Sequence, residues 1–222
     1  LIYREIYPTD RTEPGGVTAT NTWGPAEFLG LETPATTWRC EFRQSLLGPS
    51  ARLHCAATGL RAHADRLSER QALAPASTAS WPAAADGRRF DELLEGEGQT
   101  GDLWYLDGFD AGWYALEAGS GTLATMRWSA EDFPYLWLWQ ECHSLEGYPW
   151  YGEHHVVGVE PWTSQPASGL LAAIENGTAQ LLAAGARRTT TLSVGVSHRG
   201  SAGGDPTGVG LDGHVQFRKE QQ

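Results

Sequence analysis

Short runs of alternating hydrophobic and polar residues, separated by Gly and Asp turn residues, fill the second half of the chain. In TLATMRWS, residues 122–129, Leu123 and Thr125 have one parity while Ala124 and Met126 have the other. This period of two is typical of β-strands, whose successive side chains point to opposite faces. Strands at near-regular spacing, with helix in the minority and no βαβ alternation, predict an all-β sandwich or barrel.

Two of these runs are largely apolar on both faces and therefore predict inner strands. They are YLWLWQE, residues 135–141, and HHVVGVE, residues 154–160. The segment SGLLAAIENG, residues 168–177, predicts a short helical turn, and residues 65–73 favour further helical pieces. The β-branched residues in 188–197 predict one more strand.

The composition narrows the class of ligand. The 222 residues, 41% hydrophobic and 19% charged, are typical of a globular protein and sufficient for one large β domain. A net charge of −11 disfavours nucleic acid and anionic membrane surfaces as partners, and no apolar stretch is long enough to span a bilayer. Neutral small molecules are therefore the better candidate ligands.

The cysteine content bears on the compartment. Cys40, Cys55 and Cys142 have no metal-type spacing, and an odd number fits a reducing compartment better than a disulfide framework. No signal peptide is present in the sequence. These features predict a cytoplasmic protein.

Tryptophan is unusually frequent, with ten in the chain and several between residues 128 and 162. An indole is a large flat apolar surface with one N–H donor. Such a surface packs in a core, and it also stacks on the apolar C–H face of a sugar ring. Core packing is the more common use for a single tryptophan, and a cluster around the polar pair Gln140 and Glu141 shifts the balance toward the second use while leaving both open.

The ordered set FPYLWLWQE, PWYGEHHVVGVEPWTS, SGLLAAIENG and LLAAGARRTTTLSVGV resembles the C-terminal part of a galactose mutarotase-like (aldose 1-epimerase) domain. The resemblance covers residues 101–197 and extends loosely back through LGPSARLH. It implies a large antiparallel β-sandwich, the supersandwich of that family, with a carbohydrate cleft on one face. It also implies interconversion of the α and β anomers of a free hexose or related sugar, with no cofactor and no metal.

The chain begins with LIYREIYPTD rather than with methionine. We interpret residues 1–222 as a single domain of this kind, an N-terminally truncated fragment that lacks the first strands of the fold.

The resemblance implies that Glu160 is the general base. A carboxylate at the end of an apolar strand, ionised and partly desolvated against one hydroxyl group, suits that role. The alternative is a solvent-exposed glutamate at a strand end that Pro161 terminates.

The sequence does not identify the residue that would act as the general acid. The family's histidine precedes a turn like LLGPSARL, but the corresponding WRCEFR, residues 38–43, contains no histidine. His54 is the candidate acid because it alternates within a probable strand, whereas His63 fits a loop. His154 shares the parity of Glu160 but lies about 20 Å along the strand, too far for direct cooperation.

The predicted substrate-binding residues are Gln140, Trp139, Trp150 and Trp162. The amide of Gln140 both donates and accepts hydrogen bonds, which suits vicinal hydroxyls, and the indoles offer stacking surfaces. Three hypotheses follow: a mutarotase-like isomerase acting on a monosaccharide, a non-catalytic carbohydrate-binding domain on the same fold, or a β-sandwich without a sugar function.

Overall fold

The computed structural model of the chain describes residues 8–13, 16–23, 36–42, 50–93, 99–147, 151–152, 155–200 and 204–218. The chain divides into two compact units, Leu1–Leu46 and Leu47–Gln222. In the first unit, three antiparallel strands form a sheet in the order β1-β2-β3: β1 (Pro8–Glu13), β2 (Gly16–Trp23) and β3 (Thr36–Phe42). The segment in which the resemblance places a histidine falls largely on β3.

The second unit contains eleven strands and one short helix in its described residues. In chain order they are β4 (Arg52–Cys55), β5 (Gly59–Ala62), β6 (Thr78–Ser80), β7 (Thr100–Asp107), β8 (Gly112–Glu117), β9 (Thr122–Trp128), β10 (Tyr135–Cys142), β11 (His155–Trp162), α1 (Leu170–Glu175), β12 (Ser193–His198), β13 (Pro206–Val209) and β14 (Val215–Phe217).

These strands form a five-stranded sheet in the order β11-β10-β7-β5-β6, a four-stranded sheet in the order β12-β9-β8-β4, and the β13–β14 hairpin. All of the strand pairs are antiparallel. The prediction of an all-β, antiparallel β-sandwich is confirmed.

The main core lies between the two larger sheets. Leu136 and Leu138 of β10 are fully buried, and they pack in one cluster with Trp104 and Leu106 of β7 and with Leu53 of the four-stranded sheet. Alternation along each strand directs these residues to the shared side. Full burial of one such side chain contributes about 1.5–3 kcal/mol to folding.

The hairpin builds a second, smaller core on the other face of the four-stranded sheet. Trp113 and Ala115 of β8, Leu123 of β9 and Val209 of β13 form this cluster. The four-stranded sheet is thus covered on both faces. The outer face of the five-stranded sheet points away from the main core and carries the residues of the candidate functional site.

The element predictions have mixed outcomes. The prediction that 135–141 is an inner strand is confirmed, since β10 lies between β11 and β7; the same prediction for 154–160 is wrong, because β11 is the end strand of the described sheet. Residues 65–73 form turns rather than helix, and the strand predicted within 188–197 begins only at Ser193.

The short helix was predicted correctly. It spans Leu170–Glu175 and ends at Asn176, after which Gly177 has a φ of +76°, as a helix C-terminus favours. In the described part of the chain, none of the helices combines the length and the apolar character that a membrane crossing requires.

Candidate functional site

The strand register places Glu160, Trp137 and Tyr105 in one row across three strands. Glu160 of β11 is directly opposite Trp137 of β10, which in turn is opposite Tyr105 of β7. Because successive strand residues point to opposite faces, all three lie on the outer face of the five-stranded sheet, away from buried Leu136 and Leu138.

Glu160 is half-buried and held by an indole. Trp162 Nε1 donates to Glu160 Oε2 at 2.9 Å, and the Trp162 ring stacks on Trp137 with centroids 4.3 Å apart and an interplanar angle of 19°. Within the described residues, no hydrogen bond is made to Glu160 Oε1. One carboxylate oxygen is therefore fixed, and the other is available to a ligand.

Gly158 explains how the carboxylate can bend back along β11. A Cβ atom at Gly158 would lie 2.9 Å from Glu160 Oε1 and 3.5 Å from the Trp139 ring. Glycine in the interior of a strand often marks such a close approach. The carboxylate and the Trp139 ring consequently both lie against the position of Gly158. We call Glu160, Gly158, Trp137, Trp139 and Trp162 the Glu160 platform.

A second polar group lies at the other end of the row. Tyr105 Oη is 2.5 Å from His63 Nδ1 and accepts a hydrogen bond from the Ala167 N–H at 2.9 Å. Burial raises the pKa of Tyr105 to about 12. The hydroxyl is therefore protonated at neutral pH, and it lies within hydrogen-bond distance of Nδ1, while Nε2 of the same imidazole lies 3.5 Å from Asp65 Oδ2.

The loop after β11 covers this end of the row. Besides the Ala167 contact with Tyr105, the Ser164 carbonyl accepts from Trp137 Nε1 at 3.0 Å. Tyr105 is fully buried and His63 is 8% exposed, whereas Glu160 is half-buried. The surface that a ligand can reach is consequently the Glu160 end.

The structure does not bring Gln140 to this site. Gln140 is 1% exposed and lies on the inner face of β10, opposite Asp102 of β7 and Val157 of β11. It has the parity of Leu138, so it points away from Glu160. Trp139 and Trp162 do lie on the face of Glu160, while Trp150 and His154 fall outside the described residues.

His54 and Glu160 also lie apart. His54 belongs to β4 of the four-stranded sheet, where its Nε2 is 3.0 Å from Glu117 Oε2. It has the opposite parity to buried Leu53, which places it on the hairpin side of that sheet. The main core separates it from the Glu160 face, so His54 is not placed to act as a proton donor to a ligand there.

Sequence reasoning missed Trp137 and Tyr105. Trp137 shares the parity of Trp139, so alternation alone could have placed it on the same face. Its position directly opposite Glu160 depends on the register between β10 and β11, which neither strand reveals alone.

The described residues contain no group of three or more His, Cys, Asp or Glu side chains arranged to hold a metal ion. Comparisons of the chain with protein-family models, curated proteins and solved structures find no match.

Proposed function

We propose that the second unit is a carbohydrate-binding domain that holds a neutral monosaccharide on the Glu160 platform. The observation that carries this proposal is the position of the Glu160 carboxylate, which Trp162 holds by a hydrogen bond on the sheet face that also carries Trp139. A sugar ring has the matching composition, an apolar C–H face for an indole and hydroxyl donors for a carboxylate.

The charge of the chain supports a neutral ligand. With a net charge of −11 and Glu160 at the site, an anionic ligand would be repelled. A small neutral ligand gains little beyond the cost of being ordered, so we expect dissociation constants in the millimolar range. The unpaired thiols Cys55 and Cys142 support placing this activity in the cytoplasm.

The second candidate function is that of an aldose 1-epimerase-like isomerase, and it is favoured by Glu160 Oε1, which accepts no hydrogen bond from the described residues. In this reaction Glu160 takes the proton of the anomeric hydroxyl while an acid protonates the ring oxygen. The bond from C1 to the ring oxygen breaks, the C1–C2 bond rotates, and reclosure gives the other anomer. We rank it second because, among the described residues, His54 is remote and His63 is engaged with Tyr105.

Calorimetric titration of D-glucose and D-galactose tests the binding proposal. Trp139→Ala removes the stacking surface and is expected to weaken binding about two- to tenfold, a typical aromatic contribution. Gly158→Ala should displace the Glu160 carboxylate without removing a functional group. The new Cβ meets Glu160 Oε1, the end of a flexible side chain, so the free energy of unfolding should change little.

Gly147→Ala is the matched control, since a Cβ there would meet no atom of the described residues within 4 Å and should leave affinity unchanged. The proposal is wrong if the folded protein binds neither sugar, or if Trp139→Ala and Gly158→Ala bind as well as the parent chain.

Polarimetry of freshly dissolved α-D-glucose separates the two candidate functions. For an isomerase, Glu160→Gln should lower the catalysed rate by about 10²–10⁴-fold, the usual contribution of a general base. A parent chain that binds sugar but never exceeds the spontaneous rate would identify a binding domain and reject the isomerase.

A further inference from the structure

A cavity of about 180 Å³ lies along β4, the end strand of the four-stranded sheet, whose four residues all line it. It is bounded by the segment 81–91 and by the start of the hairpin at Asp205 and Pro206. Its volume corresponds to about six water molecules, which suits one small polar molecule and is below the size of a drug-sized pocket.

Two indoles line this cavity. Trp81 is 6% and Trp113 is 8% exposed, so each contributes a mostly buried apolar surface with an edge at the cavity. Trp113 belongs to the small core beneath the hairpin, which fixes its position. These walls favour a ligand with an apolar carbon skeleton.

Each of the two arginines around the cavity is paired with a carboxylate. Arg89 donates from Nε and Nη2 to the two oxygens of buried Asp91 at 2.9 and 2.5 Å, and Arg52 pairs with Glu92 at 2.8 Å. Asp205 adds a carboxylate on the hairpin side. Because the arginine charges are already compensated, the cavity does not attract a free anion, and a neutral molecule with several hydroxyl groups fits it best.

His54 is the buried polar group that faces this region. Its side chain is 10% exposed, and its Nε2 is held by Glu117 Oε2 at 3.0 Å. Burial raises the pKa of Glu117, but hydrogen bonds from Arg199 and His54 outweigh burial and hold this pKa below its usual value.

An ionised carboxylate only accepts, so Nε2 of His54 carries a proton and donates to Glu117. Among the described residues, Nδ1 has no hydrogen-bond partner. A hydroxyl group in the cavity, which both donates and accepts, would therefore find a hydrogen-bonding partner in Nδ1.

The walls are also fixed by backbone hydrogen bonds. The Leu53 N–H donates to the Asp91 carbonyl at 2.8 Å, and the Trp81 N–H donates to the Thr58 carbonyl at 3.0 Å. On the hairpin side, Arg199 joins Glu117 to the Gly204 carbonyl, which accepts from Nη1 at 2.6 Å. A ligand would enter a preformed site, which reduces the ordering cost of binding.

We propose that this cavity is a second ligand site, which binds one small neutral polyol with hydroxyl groups on His54 Nδ1, Arg89 and Asp205 and carbon atoms against Trp81 and Trp113. The site is separate from the Glu160 platform, because the main core lies between the two. It therefore stands or falls independently of the proposed sugar-binding function.

Nuclear magnetic resonance of the tryptophan indole N–H groups tests the site, with myo-inositol and D-glucose as probes. We expect saturable shifts of the Trp81 and Trp113 signals in the millimolar range, with assignments from Trp→Phe variants. Loss of one hydrogen bond in Asp205→Asn or His54→Gln should weaken this binding about two- to tenfold. Asp110→Asn, an exposed carboxylate outside the cavity, is the matched control and should have no effect.

The variants Glu160→Gln and Gly158→Ala distinguish this site from the platform, because they should leave the Trp81 and Trp113 shifts unchanged. The proposal is overturned if neither probe shifts these two signals, if Glu160→Gln abolishes the shifts, or if Asp205→Asn and His54→Gln both bind like the parent chain. Folding of each variant is checked from the dispersion of the same spectra.

Discussion

At the scale of single residues, Asp102 is the carboxyl group with the most unusual surroundings among those described. It is 2% exposed and lies on the inner face of β7, opposite Gln140. The Ala72 N–H donates to both of its oxygens at 3.1 Å, and Trp104 Nε1 donates to Oδ1 at 3.2 Å. Burial outweighs these hydrogen bonds and raises the pKa of Asp102 from 3.8 to about 6.

Because of this raised pKa, the free energy of unfolding depends on pH through the protonation of Asp102. Since the folded pKa exceeds the unfolded one, protonation favours the native state; the contribution is complete below about pH 4 and is lost as the pH rises through about 6. Relative to Asp102→Asn, which is always neutral, the parent chain should lose up to about 3 kcal/mol of unfolding free energy between pH 4 and 7.

Urea unfolding of both proteins across this pH range measures the effect. Taking the difference between them cancels the carboxylates that both share, including Glu117. If the difference stays constant from pH 4 to 7, Asp102 does not titrate as its burial requires.

The candidate site shows what single residues reveal in a sequence. Alternation correctly placed Trp139 on the face opposite Gln140, and the same rule excludes Gln140 from the Glu160 side once β10 and β11 are paired. The error was to treat neighbours in sequence as neighbours at a site. His54 was misjudged as a partner of Glu160 for a different reason, because nothing local shows which of two sheets a strand joins.

At the scale of elements, the turn of the hairpin rests on β12. Thr125 Oγ1 of β9 lies 2.7 Å from the Gly213 carbonyl oxygen and 3.2 Å from that of Gly195. A Cβ atom at Gly195 would be 2.5 Å from the Gly213 oxygen and 2.8 Å from Thr125 Oγ1. The packing of β13 and β14 therefore requires glycine in β12.

Gly195→Ala should destabilise the protein by about 1–3 kcal/mol, because the atom in the way is backbone and the hairpin must shift. The midpoint of urea unfolding measures this change. Gly147→Ala, where a Cβ meets no atom of the described residues within 4 Å, should change stability by less than about 0.5 kcal/mol. Equal midpoints for the two variants would show that the hairpin does not pack on β12 in this way.

Whether a segment forms a strand was predictable where the periodicity was strong, but the place of that strand within its sheet was not. The bulky residues on both faces of β10 predicted an inner strand correctly. The valines of β11 gave the same prediction, but β11 is the end strand of the described sheet. Glu160 and Trp162, which face outward from it, are only partly buried. Residues 65–73 have helix-forming composition, but Gln71 Oε1 accepts from the Leu67 N–H and the Ala72 N–H donates to Asp102 of β7 instead.

At the scale of the molecule, the second unit contains complete cores of its own. The main cluster uses side chains from residues 51–159, and the small cluster uses side chains from residues 56–217. Every described strand of this unit pairs with another strand of the same unit. A chain of this length buries enough surface to fold as a domain.

Residues 47–222 produced alone should therefore fold cooperatively, with β-sheet circular dichroism. Urea transitions followed by far-ultraviolet and near-ultraviolet dichroism should coincide. A fragment without a cooperative transition would mean that residues 1–46 are required to complete the fold.

The fold class was predictable at this scale because strand spacing and turn residues are local signals. The assignment of strands to two sheets, and the placement of the hairpin over the four-stranded sheet, depend on contacts between distant residues. His54 pairs with Glu117 and Thr125 contacts Gly213, and no period in the sequence marks either contact.

The stacked rings of Trp137 and Trp162 give the protein an optical property. Indole emission responds to charge and hydrogen bonding at the ring, and the Trp162 N–H is bonded directly to the Glu160 carboxylate. The Trp162 ring is stacked on Trp137 with centroids 4.3 Å apart. A ligand that binds the Glu160 carboxylate should therefore change the tryptophan fluorescence of the chain.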